Sequence, residues 1–337
     1  MNIKKIGLSA LAGSLAMFSA NAVEVAVSGK TEITYVKKDT GSNGNPFGMG
    51  NAITFSGSGD VNGMTATYTA VLGDGGQANS NTSETFASSS LMLDMGDMGT
   101  IGFDQGVGEF GVGTIDDKTP YAYEEQWSYT GATNGLRAAG GTNALGYKNT
   151  FMGYTLSLEI DPGHSATTGG TGDGSTAGES ASDHGFNFAI TGSPADGLSA
   201  GIGYGQEEAD GDNSPADSDA TFYTAYANYA FGAATVGLQR SSGNGGATGT
   251  ASNEVIIYGV SYAVNENLSI SYSEMENEFG VNKTPSVAGA VTEDTKGIGA
   301  SYTMGSASIR VLNSKTDNLA GSSTDVKHTE VSLMLAF

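Results

Sequence analysis

The sequence predicts an all-β chain closed into a transmembrane antiparallel β-barrel of about sixteen strands. Three observations predict it: apolar and polar residues alternate with period two along most of the chain, short and long connections take turns, and an export leader is followed by no apolar helix. Composition agrees. Glycine fills 52 of 337 positions, with 15 Tyr, 13 Phe and only six Pro, which suits strands and polar loops better than helices or a collagen repeat. Fourteen Lys and Arg stand against 36 Asp and Glu, a net charge of −22. Such a chain has no surface to neutralise a run of phosphates, so nucleic acid is excluded as a partner. It has no cysteine, which removes disulfides, thiolate metal sites and thiol nucleophiles.

The first segment reads as an address. Met1-Asn-Ile-Lys-Lys5 is a basic start, Ile6 to Phe18 is apolar, and Ala20-Asn-Ala22 has the small residues a signal peptidase needs. Thirteen apolar residues are too few to span a bilayer, which takes about 20. The domain plan is therefore a signal peptide over 1–22, cleaved after Ala22, and a barrel over 23–337. Cleavage removes Lys4 and Lys5 and deepens the net charge of −22 by two.

From Val23 to Val36, Val25, Val27, Ile33 and Tyr35 share one face, while Glu24, Ser28, Lys30, Glu32 and Thr34 share the other. This is a strand with one greasy and one wet side. Ile53 and Phe55 repeat it, as do Met64 to Leu72, Leu91 to Met95, and Ile101 with Phe103. Leu145 with Tyr147 and Tyr154 to Ile160 continue it. Phe186 to Ile190 then pairs with Leu198 to Tyr204 across Ser193-Pro-Ala-Asp-Gly197. Tyr223 to Phe231 pairs with Val236 and Leu238, Ile256 to Tyr262 with Leu268 to Tyr272, and Ile298 to Tyr302 with Ala307 to Val311. Thr329 to Phe337 closes the chain.

Tight turns such as Asp60-Val-Asn-Gly63 and Gly96-Asp-Met-Gly99 take turns with long polar stretches: Asp161 to Asp183, Glu207 to Ala220, Ser241 to Asn253 and Glu274 to Lys296. A sandwich does not need that rhythm. A barrel with short periplasmic turns and long external loops does, and an even strand count fits it. Sixteen strands leave an aqueous lumen, where about eight would be filled by side chains. Tyrosines at strand ends, such as Tyr35, Tyr68, Tyr204 and Tyr302, fit interfacial girdles.

The last strand, Thr329-Glu-Val-Ser-Leu-Met-Leu-Ala-Phe337, carries the most specific motif. With the leader and the strand rhythm, it makes the whole chain resemble a general bacterial porin of the sixteen-stranded, trimeric type, most like those of alphaproteobacteria. The resemblance implies the outer membrane and its lipid, a homotrimer, and no catalysed reaction. It implies that periplasmic chaperones and the barrel assembly machinery handle the chain, reading Val331, Leu333, Leu335 and Phe337 as the signal. Small outward residues (Ala66, Ala70, Ala225, Ala227) suit packing between barrels. The resemblance also implies a third loop folded inward as a constriction.

Residues 105–144 offer that loop, because they show no strand alternation and so long an irregular segment is usually functional. Glu109-Phe-Gly111 is similar to the Glu-Phe-Gly of enterobacterial constriction loops. Asp116, Asp117, Lys118, Glu124, Glu125 and Arg137 supply charge, and Trp127 with Tyr121, Tyr123 and Tyr129 supplies surface for packing on the wall. On the wet parity of the strands lie Glu24, Glu32, Asp94, Asp104, Glu159 and Glu330, against Lys30, Lys148 and Arg310. The porin eyelet resembles a field from loop acids to wall bases, and these three bases are the candidates for its basic side. The excess of acids predicts passive passage of small hydrophilic solutes and ions with a preference for cations.

Other patterns carry less. Gly106-Val-Gly-Glu-Phe-Gly111 matches a dinucleotide fingerprint, yet no helix or βαβ unit follows it. Asp210 to Asp219 loosely resembles a calcium loop but lacks the Gly at position six and the closing Glu. No cofactor is expected, beyond divalent cations drawn to acidic external loops. His164, His184 and His328 are expected in loops or at the rim, with no metal spacing. A solute-specific channel and a non-conducting adhesion or anchoring barrel stand as alternatives. Against the first, most aromatics here lie on the outward parity rather than along the lumen.

Overall fold

The structure, a computed structural model, describes residues 24–39, 44–73, 86–127, 142–161, 185–207, 220–244, 252–280 and 291–337. Sixteen strands follow one another: β1 (Glu24–Lys38), β2 (Phe47–Val61), β3 (Met64–Gly73), β4 (Phe86–Asp94), β5 (Thr100–Gln105), β6 (Thr142–Phe151), β7 (Tyr154–Asp161) and β8 (Gly185–Ala195). Then come β9 (Leu198–Glu207), β10 (Ala220–Phe231), β11 (Ala234–Asn244), β12 (Asn253–Ala263), β13 (Leu268–Phe279), β14 (Glu293–Met304), β15 (Ala307–Asp317) and β16 (Val326–Ala336). Each pairs antiparallel with the next, and β1 pairs with β16, so no edge is left open. Closure is what a bilayer demands, since an unpaired N–H or C=O in hydrocarbon has no water to bond.

The alternation points outward. On β16, Val331, Leu333 and Leu335 are exposed, while His328, Glu330 and Ser332 are buried inside. The same inversion holds on β12, where Tyr258 and Val260 face out and Ile257 lies inside. The large exposed apolar residues on nearly every strand would aggregate a soluble protein; around a barrel they face lipid.

Seven short connections, of two to five residues, gather at one end with the start of β1 and the end of β16. Eight longer ones, of eight to 36 residues, gather at the other. Two-residue hairpins need positive φ because only then does the turn's twist match that of the strands. Asn62 (φ 55°) and Gly63 (φ 82°) meet that need between β2 and β3.

Several strands run further than apolar alternation indicates. The stretch from Glu274 to Lys296 is expected as a loop, yet β13 continues to Phe279 and β14 begins at Glu293. Likewise β11 reaches Asn244 and β2 starts at Phe47. Beyond the lipid both faces of a strand are wet, so the apolar signal stops while backbone pairing continues. The Ser193–Gly197 turn is shorter than expected: β8 runs to Ala195 with a register shift after Gly192, leaving Asp196 and Gly197 as the turn. His328 is not at the rim but on β16, fully buried on the inner face. His164, His184 and the Asp210–Asp219 stretch lie outside the described residues.

Candidate pore constriction

The third long connection, 106–141, is the longest, and it is described as far as Trp127. At its start Asp104, 2% exposed, accepts the backbone N–H groups of Val107 (2.7 Å) and Glu109 (2.6 Å). Those two bonds turn the chain off β5 and into the barrel.

From there the segment travels along the inner wall. Gly111 N donates to Ser157 Oγ (2.8 Å) on β7, and Val112 N to Asn187 Oδ1 (2.6 Å) on β8. On β11, Gln239 Nε2 donates to the carbonyls of Ile115 (3.1 Å) and Asp116 (2.7 Å), while its Oε1 accepts Lys118 N (2.8 Å). Asn228 on β10 holds the Lys118 carbonyl. On β13, Ser271 Oγ accepts Ala122 N (2.9 Å) and Ser273 donates to Gln126 (2.6 Å). Every one of these wall groups is a neutral polar side chain bonded to the loop, chiefly to its backbone. Such bonds fix position and leave the loop's own charges for the lumen.

Room for this path comes from glycines of inward parity. A Cβ at Gly146 would stand 2.0 Å from the Phe110 ring, and one at Gly259 2.8 Å from the Pro120 carbonyl oxygen. Gly102, Gly203, Gly237, Gly297 and Gly299 have loop atoms equally over them or close by. Val112 and Ile115 pack with Ala189 and Phe222, and Trp127 with Val255, Ile257 and Met275. The dry cores of this barrel lie between loop and wall.

Tyr123 carries the contact to the closing seam. Its Oη sits 3.1 Å from Glu32 Oε1 on β1 and 3.0 Å from Glu330 Oε1 on β16, so two carboxylates share one proton donor. Arg310 on β15 lies 4.5 Å from the Tyr123 ring centroid, is ion-paired with Glu32, and donates through Nε to Ser332 Oγ (3.1 Å). Half-buried Glu124 stands beside this group. Its carboxyl is pushed up to about 7, first by burial and then by Glu330, Glu125 and Glu32. Burial likewise raises Asp116.

The structure thus brings Glu109, Asp116, Asp117, Lys118, Glu124 and Glu125 onto one inward segment; Arg137 lies outside the described residues. Lys148 on β6 joins them, 2.9 Å from Glu109 Oε2. Glu159 is buried under Gly111 and accepts a bond from Asn187 (3.3 Å). Asp94 is the last residue of β4, where it accepts Gly96 N (2.9 Å) of the short turn, away from the loop. Lys30 pairs in register with Ala336, close to the short-turn end. The inner faces of β2 and β3 carry the hydroxyls of Thr54, Ser56, Ser58, Thr65, Thr67 and Thr69, with Asp60 as the one charge, at the short-turn end where it accepts Gly63 N. Val331, Leu333 and Leu335 face out, and Phe337 exchanges backbone bonds with Gly29 (2.8 and 2.9 Å). Ala20 and Ala22 are outside the described residues.

Sequence reasoning placed Tyr123 against the wall but missed the wall groups that hold the loop: Ser157, Asn187, Asn228, Gln239, Ser271 and Ser273. One signal was present. Glycine recurs at inward positions of strands, where it otherwise weakens a strand and marks close backbone approach.

A closed barrel of sixteen strands, apolar outside and polar within, with a loop folded into its lumen, defines the class of aqueous membrane channels. The chain belongs to the Gram-negative porin family, whose profile matches residues 7–308. No curated protein sequence matches it. Among solved structures it is similar to a variant of the Rhodopseudomonas blastica porin (17% identity, 94% of this chain and 100% of that chain, TM-score 0.63). It is similar also to an anion-selective porin from Comamonas acidovorans (17%, 94% and 100%, TM-score 0.64) and to a loop-deletion variant of OmpT, an outer membrane protein of Vibrio cholerae (13%, 94% and 100%, TM-score 0.60). At these identities the likeness is one of fold. Family and fold together place the chain in the outer membrane as a diffusion channel, and this family is one of channels rather than enzymes.

Proposed function

We propose that this porin is a general, cation-preferring channel for small hydrophilic solutes, narrowed by residues 105–144. One observation carries the preference. Both wall bases that reach the loop are already engaged by carboxylates, Lys148 by Glu109 and Arg310 by Glu32. Asp116, Asp117, Glu124 and Glu125 then stand on the loop against Lys118 alone among its described residues. A passing ion gives up part of its hydration in such a passage, so the sign of the lining sets which ion enters. The Comamonas relative is described as anion-selective; the reading here rests on this chain's own lining residues.

The same proposal includes removal of residues 1–22 after Ala22 and assembly as a homotrimer. The inner face of β2 and β3, lined by hydroxyls with Asp60 as its one charge at the short-turn end, favours a general channel over a dedicated one. The proposal predicts ion conductance in a planar bilayer, and graded exclusion of neutral polyols by size. An insulating barrel, or strong saturation by one sugar at millimolar concentration, would reject it in favour of an anchor or a specific channel.

A further inference from the structure

Between the folded-in loop and the wall lies a recess of about 500 Å³, bounded by the loop from Gly108 to Lys118 and by β6, β7, β8 and β10. That volume falls in the range of small-molecule sites. The wall brings hydroxyls to it. Thr155 pairs in register with Thr191, Thr191 with Gly201, and Gly201 with Tyr226, one inward row across β7 to β10. The Tyr226 ring lies over Gly201, where a Cβ would stand 2.5 Å from Tyr226 Cε1. On the loop side the space is open, since a Cβ at Gly108 or Gly113 would meet nothing within 4 Å.

Three polar groups facing the recess have no hydrogen-bond or ion-pair partner among the described residues: the Lys118 ammonium and the hydroxyls of Thr191 and Tyr226. Asp116 feels the charge of Lys118, but no carboxylate oxygen among those residues comes within 4.0 Å of its ammonium. The backbone of Lys118 is fixed on both sides, its N–H by Gln239 and its carbonyl by Asn228, so its stem starts from a set point. Lys148 and Glu109 also face the recess, but as an ion pair (2.9 Å) that adds no net charge.

We propose that this recess is a binding subsite for small polyhydroxylated monocarboxylates, the sugar acids. The carboxylate pairs with Lys118, the hydroxyls bond Thr191, Tyr226 and the Lys148–Glu109 pair, and the C–H face of the solute lies against the Tyr226 ring. One unpaired ammonium matches one negative charge, whereas a phosphate dianion would bring its second charge against Glu109. A bare carboxylate gains too little, because a chain of net charge −22 repels anions, so retention needs the hydroxyls as well. The inference rests on the general-channel reading and names a class of solute that lingers in the channel, not one dedicated sugar.

The test titrates D-glucuronate and D-gluconate against the full-length barrel in neutral detergent, reading the dissociation constant by ligand-observed NMR, which does not require conduction. D-Glucose keeps the hydroxyls without the carboxylate, and acetate keeps the carboxylate without the hydroxyls. Both sugar acids should bind about tenfold tighter than either control, since one charge-assisted hydrogen bond, or a pair of neutral ones, contributes about that factor. K118Q should lose the same factor. G113L, which grows a side chain into the recess from a position where a Cβ meets nothing, should abolish binding. Equal binding of glucuronate and glucose by the wild-type barrel would overturn the proposal without any variant. Acetate bound as tightly as the sugar acids would reduce the site to a bare ion pair and equally overturn it. So would undiminished binding by K118Q and G113L barrels that still conduct. Wild-type conductance, measured beside the titration, keeps the two readings apart: an insulating barrel that binds glucuronate defeats the general channel and upholds the recess.

Discussion

Among the described residues of the constriction, Glu124 carries a charge that ordinary changes of pH can switch. Its carboxyl is raised to about 7 because burial and three neighbouring carboxylates disfavour the anion. The sign follows directly: below pH 7 the group is neutral, and above it the constriction gains one negative charge. The preference for potassium over chloride should therefore rise between pH 6 and pH 8. E124Q should flatten that step while leaving the barrel folded. A step of equal size in E124Q would assign the titration to another group. Tyr123 offers a second check. Y123F keeps the ring against Arg310 and removes the shared donor between Glu32 and Glu330. Two close carboxylates without that proton repel, so the variant should show noisier single-channel current than wild type. Identical current noise would show that Tyr123 does not hold the seam contact.

At the scale of elements, the loop is held by its backbone and seated on glycines, which separates its position from its charge. Val in place of Gly259 would put side-chain atoms where the Pro120 carbonyl now lies. Since that contact involves loop backbone, the loop must lift, and conductance and polyol cut-off should both increase. Deletion within Asp116 to Tyr129 should do the same. Unchanged conductance in both would place the segment away from the narrowest point. Just past β16, Phe337 is bonded through its backbone to Gly29 at the seam. Its removal should cut insertion into the outer membrane while synthesis continues, and a normal yield of inserted barrels would exclude it as the assembly signal.

Strands and turns were legible because lipid on one side and water on the other impose strict alternation. Glu276, Asn277 and Glu278 escaped as part of β13 because that asymmetry ends above the membrane. The loop's existence was legible in its lack of period, and its acids could be named. Its holders could not: Gln239 or Ser271 in a wet-face position looks like any lumen residue until the loop is laid over it.

For the whole molecule, the acidic balance acts at two ranges. At about 0.01 M salt the Debye length is ~30 Å, so the full net charge biases entry at the mouth. Near 1 M it falls to ~3 Å, and only groups lining the constriction still act. The account therefore predicts a cation preference that weakens with salt but does not vanish, because Asp116, Asp117, Glu124 and Glu125 remain within reach of the passing ion. The measurement closest to that claim is the zero-current potential of the wild-type channel across a tenfold KCl gradient, taken at low and at high mean salt. A potential of the sign that potassium sets, at both, is the predicted result. A potential of the chloride sign, at either, would contradict it.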